Sequence, residues 1–168
     1  RQSGDDVHAD IEPSARVPQV MTPDKVAVHI GDVKVASAGA TLLTIGLGSC
    51  VAVALYDPKT KIGGLAHAML PHPSNGRKDA PPGRFAATAI PQLLELMKDA
   101  GASQRRIRAR LAGGASMFRD LLEGDGLRLG RRNVEAAREA LASLGIPIDG
   151  EDVFGTYGRS VYLSTDDG

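Results

Sequence analysis

The chain has 168 residues, with 20 lysines and arginines balanced by 20 aspartates and glutamates, 20 glycines and a single cysteine. This length is in the usual range of one domain, about 100–200 residues. The balanced charge argues against a generally basic protein that binds nucleic acid or a membrane surface, because Lys and Arg mainly hold those partners. One cysteine excludes an internal disulfide and a thiolate zinc site, and it is typical of a reducing compartment.

Neither a membrane span nor a targeting segment is visible. The longest apolar run, Cys50 to Tyr56, is far shorter than the ~20 residues that cross a bilayer, and no basic and then apolar signal segment opens the chain. We therefore expect a soluble, cytoplasmic protein without membrane insertion. Residues 1–23 carry three prolines among acidic residues and no apolar periodicity, which predicts a disordered or loosely docked tail before a single domain over residues 24–168.

Strand patterns dominate the first part of this domain. Apolar alternation and short apolar runs predict strands over residues 25–30, 33–35, 41–45, 51–56, 62–70, 107–111, 146–148 and 160–163. The first two flank a Gly31-Asp32 turn. The chain stops at Asp166-Asp167-Gly168, a hairpin-turn signal that predicts a further pairing strand.

Two amphipathic helices are expected among these strands. One carries an apolar stripe from Phe85 to Met97 and ends before Gly101, with Pro91 either kinking it or marking its true start. The other spans about Arg131 to Leu144. The fold class is therefore α/β or α+β layered, a largely antiparallel mixed sheet packed with two main helices.

Cys50 lies where a glycine-rich turn, Gly46-Leu47-Gly48-Ser49, enters a strand. A lone cysteine is most often a small buried hydrophobe. Here the turn leaves backbone N–H groups free to face a ligand, and a reactive thiol additionally needs a lowered pKa, usually from a neighbouring histidine. The next question is therefore which histidine the fold brings to Cys50.

A hairpin brings His67 towards this cysteine. If residues 57–60 form a four-residue turn, Cys50 pairs with His67. Residues directly opposite share a face with Cβ atoms about 4.5–5.5 Å apart, which suits a thiolate–imidazolium pair. A slip of one residue would instead put Ala68 opposite Cys50. The same register gives one apolar core face (Val51, Val53, Leu55, Ile62) and lines the Cys50 face with small residues that leave room for a ligand (Ala52, Ala54, Gly63).

Each of these residues also has a structural interpretation. His67 alone, within an apolar run, is as often a core histidine whose hydrogen bonds are satisfied, and only its pairing with Cys50 favours chemistry. Thr44 alone is usually a β-branched strand residue. Its position on the strand entering the glycine turn suits the third role of a triad, in which its hydroxyl holds the imidazole in one tautomer.

The other motifs in the sequence give weaker evidence of a function. Gly46-Leu47-Gly48 lacks the third glycine and the following helix of a dinucleotide site, so we infer no nucleotide binding. The remaining histidines, His8, His29 and His72, show no ligand spacing, and we infer no metal site. The arginines at 105, 106, 108 and 110 indicate the solvated face of a strand, with docking to an acidic protein surface as the alternative.

Several ordered blocks together resemble the CheD family, the chemoreceptor glutamine deamidases. The first two surround the candidate site, Gly46 to Val53 and Leu65 to Pro71. The others are Pro82-Gly83-Arg84-Phe85, Ala112 to Phe118, Gly130-Arg131-Arg132-Asn133-Val134, Glu151-Asp152, and Gly158-Arg159-Ser160-Val161. The resemblance covers about Lys25 to Ser164.

The resemblance implies an enzyme that hydrolyses selected glutamines of methyl-accepting chemotaxis receptors to glutamate and releases ammonia. In that family the nucleophile matches Cys50, the base matches His67 and the orienting residue matches Thr44. A layered α/β/α-like domain related to bacterial toxin deamidases is implied. From the residue types, backbone N–H groups around Gly48 and Ser49 would meet the oxyanion, and no cofactor is needed.

A CheC-type phosphatase is a further partner that the resemblance implies. The segment with Ser116 and Phe118 resembles the part of the family used near that contact. Phe85, Ala87 and Phe154 depart from residues common in the family, which affects substrate or partner detail rather than the cysteine and histidine. Two other functions stay open: a regulatory module that binds receptors or a phosphatase without essential catalysis, and a general thiol hydrolase of small amides.

Overall fold

A computed structural model describes residues 24–73, 80–117 and 125–168. The predicted tail, residues 1–23, lies outside the described residues. Within these ranges the chain forms eight strands and two α-helices: β1 Asp24–Ala27, β2 Val33–Ala36, β3 Ala40–Leu47, β4 Val51–Asp57, β5 Ile62–Ala68, α1 Ala86–Asp99, β6 Arg108–Gly113, α2 Asp125–Ser143, β7 Ile148–Val153 and β8 Arg159–Ser164. None of the helices in the described ranges is both long and apolar enough to cross a membrane.

The strands form two sheets. The larger has the order β2-β5-β4-β6-β7 and the smaller the order β1-β3-β8. Among the strands of the described ranges, only the β1–β3 and β6–β7 pairs are parallel, so the predicted layered, largely antiparallel α+β class is confirmed. The strands on either side of the Gly31-Asp32 turn do exist, but they belong to different sheets: β1 pairs with β3, and β2 pairs with β5.

The five-stranded sheet is the middle layer of the molecule. The predicted core face of β4 and β5 packs against both helices, in a buried cluster that includes Val51, Val53, Leu55, Ile62, Ile90, Leu93, Met97, Val134, Ala137 and Leu141. The opposite face packs against the three-stranded sheet through Leu42, Leu47, Ala52, Ala54, Leu65 and Leu163. The layers are therefore helices, large sheet and small sheet, and the Cys50 face lies between the sheets.

The predicted register of the β4–β5 hairpin is wrong by two residues. Ala52, not Cys50, lies opposite His67, and Asp57 pairs with Ile62 as the last pair before the turn. Asp57 extends the strand because its carboxylate is buried and binds Arg106 and the N–H of Ser103. A register error of two residues keeps every side chain on its face, since side chains alternate with period two.

Both helices occur where the stripes predicted them, with different starts. Helix α1 begins at Ala86, so Pro91 lies inside it, on the exposed side, and does not mark its start. Helix α2 begins six residues before the predicted Arg131. The helix passes so close to Gly114 that a Cβ on Gly130 would lie 2.4 Å from the Gly114 carbonyl oxygen. This close approach requires a glycine at position 130, inside the helix.

Candidate active site

Thr44 and His67 meet between the two sheets. Thr44 Oγ1 lies 2.8 Å from His67 Nδ1. Thr44 points inward from β3 of the small sheet and His67 from β5 of the large one, and their exposed fractions are only 2% and 1%. The hydrogen bond therefore joins the two layers and determines which edge of the imidazole is left over.

The other imidazole nitrogen, Nε2, is buried and has no hydrogen-bond partner among the described residues. Cys50 is half-buried and packs against the same inter-sheet cluster as Ala52. Because Ala52 lies opposite His67, Cys50 occupies the diagonal position on the same face, where Cβ atoms are typically about 7 Å apart or somewhat less. The structure thus places Cys50 and His67 on the face of the large sheet that Thr44 of the small sheet meets, without a hydrogen bond between the thiol and the ring.

Burial disfavours the charged forms of Cys50 and His67. It raises the pKa of the Cys50 thiol, an effect that the residue's own backbone N–H opposes. Burial lowers the pKa of His67, against which the nearby Asp32 carboxylate acts. Burial thus favours a thiol and a neutral imidazole over the expected thiolate–imidazolium pair.

The loop between β1 and β2 holds the backbone of His67. The N–H of Gly31 donates to the His67 carbonyl oxygen at 2.8 Å, and the His67 N–H donates to the Asp32 carbonyl oxygen at 3.1 Å. The Asp32 carboxylate accepts from the N–H of His29 at 3.0 Å. In the sequence this segment is visible only as a Gly-Asp turn, and nothing in it points to the histidine that it supports.

Just before β4, the carbonyl oxygens of residues 48–50 each accept a hydrogen bond from the protein interior. The Ala115 N–H donates to Gly48 at 2.8 Å, the Gly114 N–H to Cys50 at 2.7 Å, and the Asn133 side chain to Ser49 at 2.8 Å. Asn133 is a site residue that the sequence reasoning missed. Its only signal is its place in one of the blocks that carry the family resemblance.

Glycines give this turn its shape. Gly46 has a φ of +76°, in the left-handed region where side chains are strained. Gly48 has no such φ, but a Cβ there would lie 3.0 Å from Met117 Sδ, so it leaves room for the half-exposed Met117 side chain. Ser116 is partly buried beside it and donates its N–H to the Gly155 carbonyl oxygen. Phe118 lies outside the described residues.

The small residues of the inter-sheet face line a cavity. It has a volume of about 380 Å³ and is lined by Ala52, Ala54, Ala112 and residues of β7 and β8. Neither Cys50 nor His67 contributes to its lining. The room for a ligand that the small residues predict is therefore present at Ala52 and Ala54, and Cys50 lies outside this cavity.

Comparison with known proteins agrees with the resemblance. The family model described as CheD chemotactic sensory transduction matches residues 69–168. The probable chemoreceptor glutamine deamidase CheD of Archaeoglobus fulgidus is 48% identical over 144 residues, 86% of this chain and 89% of the relative. The corresponding protein of Clostridium novyi is 44% identical over 148 residues, 88% and 91% of the two chains.

A third relative, the chemoreceptor glutamine deamidase CheD of Thermotoga maritima, is 42% identical over 144 residues, 86% of this chain and 88% of that protein. Among solved structures, YlmD of Geobacillus stearothermophilus has a TM-score of 0.48 at 17% identity, covering 84% of this chain and 69% of that one. Each of these three alignments covers at least 86% of this chain. The residues left uncovered at the ends are too few to include Cys50 or His67. The chain belongs to the CheD family.

Proposed function

We propose that this protein is a cysteine-dependent protein-glutamine deamidase that converts glutamine side chains of methyl-accepting chemotaxis receptors to glutamate. The observation that carries the proposal is the Thr44–His67 hydrogen bond, which leaves Nε2 unpartnered on the face that Cys50 shares. The names of the relatives, chemoreceptor glutamine deamidase, supply the substrate class. A neutral thiol beside a neutral imidazole is a competent starting state, because the base can still accept a proton.

The reaction begins when His67 Nε2 takes the proton of Cys50 and the sulfur attacks the glutamine carboxamide carbon. The tetrahedral oxyanion is met by backbone N–H groups of the turn around Gly48 and Ser49, an arrangement that typically contributes a few kcal/mol. His67 then protonates the departing nitrogen, and ammonia leaves a thioester. Water, deprotonated by the same histidine, hydrolyses the thioester to glutamate. The hydrogen bond between sulfur and imidazole that this requires forms on substrate binding, as catalytic contacts in empty sites often do.

Thr44 has the orienting role in this scheme. When Nδ1–H donates to Thr44 Oγ1, Nε2 carries the lone pair that accepts the thiol proton. Burial of both groups strengthens this preference, since a buried N–H without an acceptor is costly. No cofactor takes part, because each bond is made or broken by sulfur, imidazole or water.

The substrate is a side chain on another protein, so surface loops set specificity. Ser116 and Met117 lie beside the nucleophile turn, and we assign this segment to contact with the receptor or with a CheC-type phosphatase. If the chain were instead a binding module, it would bind receptors and leave their glutamines intact.

The direct test is incubation of the native chain with a cytoplasmic receptor fragment. We expect the fragment to gain the mass of an amide-to-acid conversion at a few glutamines, with equimolar ammonia. Free glutamine is expected to be converted far more slowly, because the loops around the site recognise a folded protein. Binding of the fragment with no mass change would favour the binding module and overturn the proposal, and equal turnover of small amides would favour a general hydrolase.

Replacing Thr44 with valine tests the orienting role. Valine has nearly the same shape, so the fold should persist while the Nδ1–H loses its acceptor and the imidazole populates the wrong tautomer. We expect kcat to fall about 10²-fold or more, with receptor binding unchanged. Thr165 is an equally buried threonine far from the site, bonded to the Ser37 and Ala40 carbonyl oxygens. Thr165→Val should reduce stability but not kcat, and equal loss of kcat in both variants would contradict the role of Thr44.

A further inference from the structure

The side chain of Asn133 is completely buried beneath the nucleophile turn. Its Nδ2 donates to the Ser49 carbonyl oxygen at 2.8 Å and to the Met69 carbonyl oxygen at 3.0 Å. Two carbonyl acceptors identify the nitrogen end of the carboxamide, because an oxygen there would face two oxygens. Asn133 therefore joins the turn that carries Cys50 to the chain two residues after His67.

The bond to Ser49 also determines where the N–H of Cys50 points. A trans peptide unit is planar, and its C=O and N–H point in opposite directions. The Ser49 carbonyl points into the protein towards Asn133, so the Cys50 N–H of the same peptide unit points the other way. No described residue accepts a hydrogen bond from it.

This N–H lies next to the reacting sulfur. The amide nitrogen and the Cβ that carries the sulfur are bonded to the same Cα, so the N–H of Cys50 is close to its own sulfur. Consistent with this, burial raises the pKa of the Cys50 thiol and the residue's own N–H partly opposes that rise. When the sulfur attacks a carbonyl carbon, the carbonyl oxygen becomes negative close to the sulfur, and a nearby N–H donor can stabilise it.

We propose that Asn133 is a positioning residue that fixes the Ser49–Cys50 peptide so that the Cys50 N–H serves as an oxyanion donor. The inference deepens the proposed function and rests on it. A rotation of this peptide unit would turn the Ser49 carbonyl oxygen towards the site and replace a donor with a partial negative charge. Asn133 opposes that rotation by holding the oxygen in the interior.

Among the carbonyl groups of residues 48–50, only that of Ser49 is bonded by a side chain. The carbonyl oxygens of Gly48 and Cys50 accept from the backbone N–H groups of Ala115 and Gly114, which any residue except proline supplies. A single substitution can therefore release the Ser49 carbonyl and leave the rest of the turn in place.

The test compares Asn133→Leu with Gln104→Leu. Leucine keeps the bulk of either side chain and removes the amide donor. Gln104 is a matched control because its Nε2 also donates to a backbone carbonyl oxygen, that of Leu144 at 2.7 Å, far from the site. With a receptor fragment as substrate, Asn133→Leu should lower kcat about 10²–10³-fold, the usual loss for one oxyanion donor, with KM nearly unchanged. Gln104→Leu should leave both constants within about twofold of the native values.

A second readout does not depend on deamidation. Cys50 is the chain's only thiol, so the pH dependence of its alkylation by iodoacetamide reports its ionisation alone. Asn133→Leu should move the midpoint to higher pH, because the thiolate loses its adjacent donor, and Gln104→Leu should not. If the native chain fails to deamidate any receptor, the proposed function fails, while a shifted midpoint still supports the role of Asn133 in aiming the Cys50 N–H.

An unchanged alkylation midpoint in folded Asn133→Leu would overturn the inference, even if kcat fell. Hydrogen exchange on the native chain needs no variant. The amide of Cys50 should exchange faster than that of Gly114, which donates to the Cys50 carbonyl oxygen. If the Cys50 amide is the more protected of the two, it is not the free donor that the inference requires, and the inference is wrong.

Discussion

Replacing Cys50 with alanine is expected to lower the rate of receptor deamidation about 10³-fold or more. The loss is large because no other group in the described part of the site can form the thioester. The imidazole and the backbone donors remain, but they have no nucleophile to activate. Receptor binding should persist, since the change removes one sulfur atom from a half-buried position. Mass spectrometry of the receptor fragment measures the conversion.

Two controls make the Cys50→Ala result specific. Thermal unfolding of the variant should match that of the native chain, which excludes loss of fold as the cause. Alkylation of the native protein modifies only Cys50, because the chain has one cysteine, and should abolish conversion to the same degree. Conversion that survives both the substitution and the alkylation would remove the cysteine from the mechanism.

The second large effect concerns stability. Asp57 is fully buried at the end of β4. Arg106 donates to both of its carboxylate oxygens, Nη2 at 2.7 Å and Nε at 2.9 Å, and the N–H groups of Ser103 and Lys59 donate as well. Burial alone would raise the pKa of Asp57, but Arg106 and these N–H groups outweigh it and hold the pKa well below its usual range.

We expect Asp57→Asn to lower the free energy of unfolding by about 2–4 kcal/mol. The substitution removes the carboxylate from a buried pair and turns an amide N–H₂ towards existing donors, and breaking such pairs costs about 3–5 kcal/mol. The expected cost is somewhat below that general range because the Arg106 side chain is 35% exposed and is hydrated by water when its partner is lost. Asp149→Asn is the matched control, since Asp149 pairs with Arg108 at the surface, and it should cost less than about 1 kcal/mol. Equal costs in urea unfolding would contradict this difference.

The difference between Asp57→Asn and the native chain should depend on pH. A carboxyl group whose pKa is lowered by folding stabilises the folded state above its unfolded pKa, about 3.9, and this stabilisation is lost as the pH falls through the folded pKa. The advantage of the native chain should therefore be constant from pH 7 to about 5 and shrink below about pH 4. An advantage that grows on acidification would contradict the assignment.

The same carboxylate explains why the hairpin register could not be predicted. Asp57-Pro58 reads locally as the start of a type I turn, and only the contacts of Asp57 with Ser103 and Arg106 make it part of the strand. Lys61 then completes the turn with a φ of +53°, which few sequences would suggest for a lysine. The prediction still placed His67 on the correct face, because alternation along a strand does not depend on the turn.

The division of the strands into two sheets could not be predicted from local sequence patterns either. The β1–β3 pair is parallel and joins segments separated by the whole of β2, and alternation does not reveal which strands pair. The early start of α2 has a similar cause, since residues with low helix propensity such as Gly130 are accepted where the helix passes close to the Gly114 loop.

The reactive residues of the candidate site could be predicted because they belong to residue types that are rare in this sequence. A single cysteine after a glycine turn and a histidine on the facing strand stand out, and the structure places them on one face of the large sheet, across from Thr44 of the small sheet. The supporting contacts of Asp32 and Asn133 come from distant segments and use common polar residues. Such residues acquire a role only when the fold brings them to a carbonyl or an N–H of the site.

The central claim is that the Cys50 sulfur forms a covalent bond with a receptor glutamine. The most direct measurement is rapid acid quenching of the native chain during turnover of a receptor fragment, followed by mass analysis of the peptide that contains Cys50. We expect a transient adduct on this cysteine, equal in mass to the fragment less one ammonia, that decays as glutamate appears. Glutamate formation at full rate, with no adduct at any time and no trapping of one by added hydroxylamine, would contradict it.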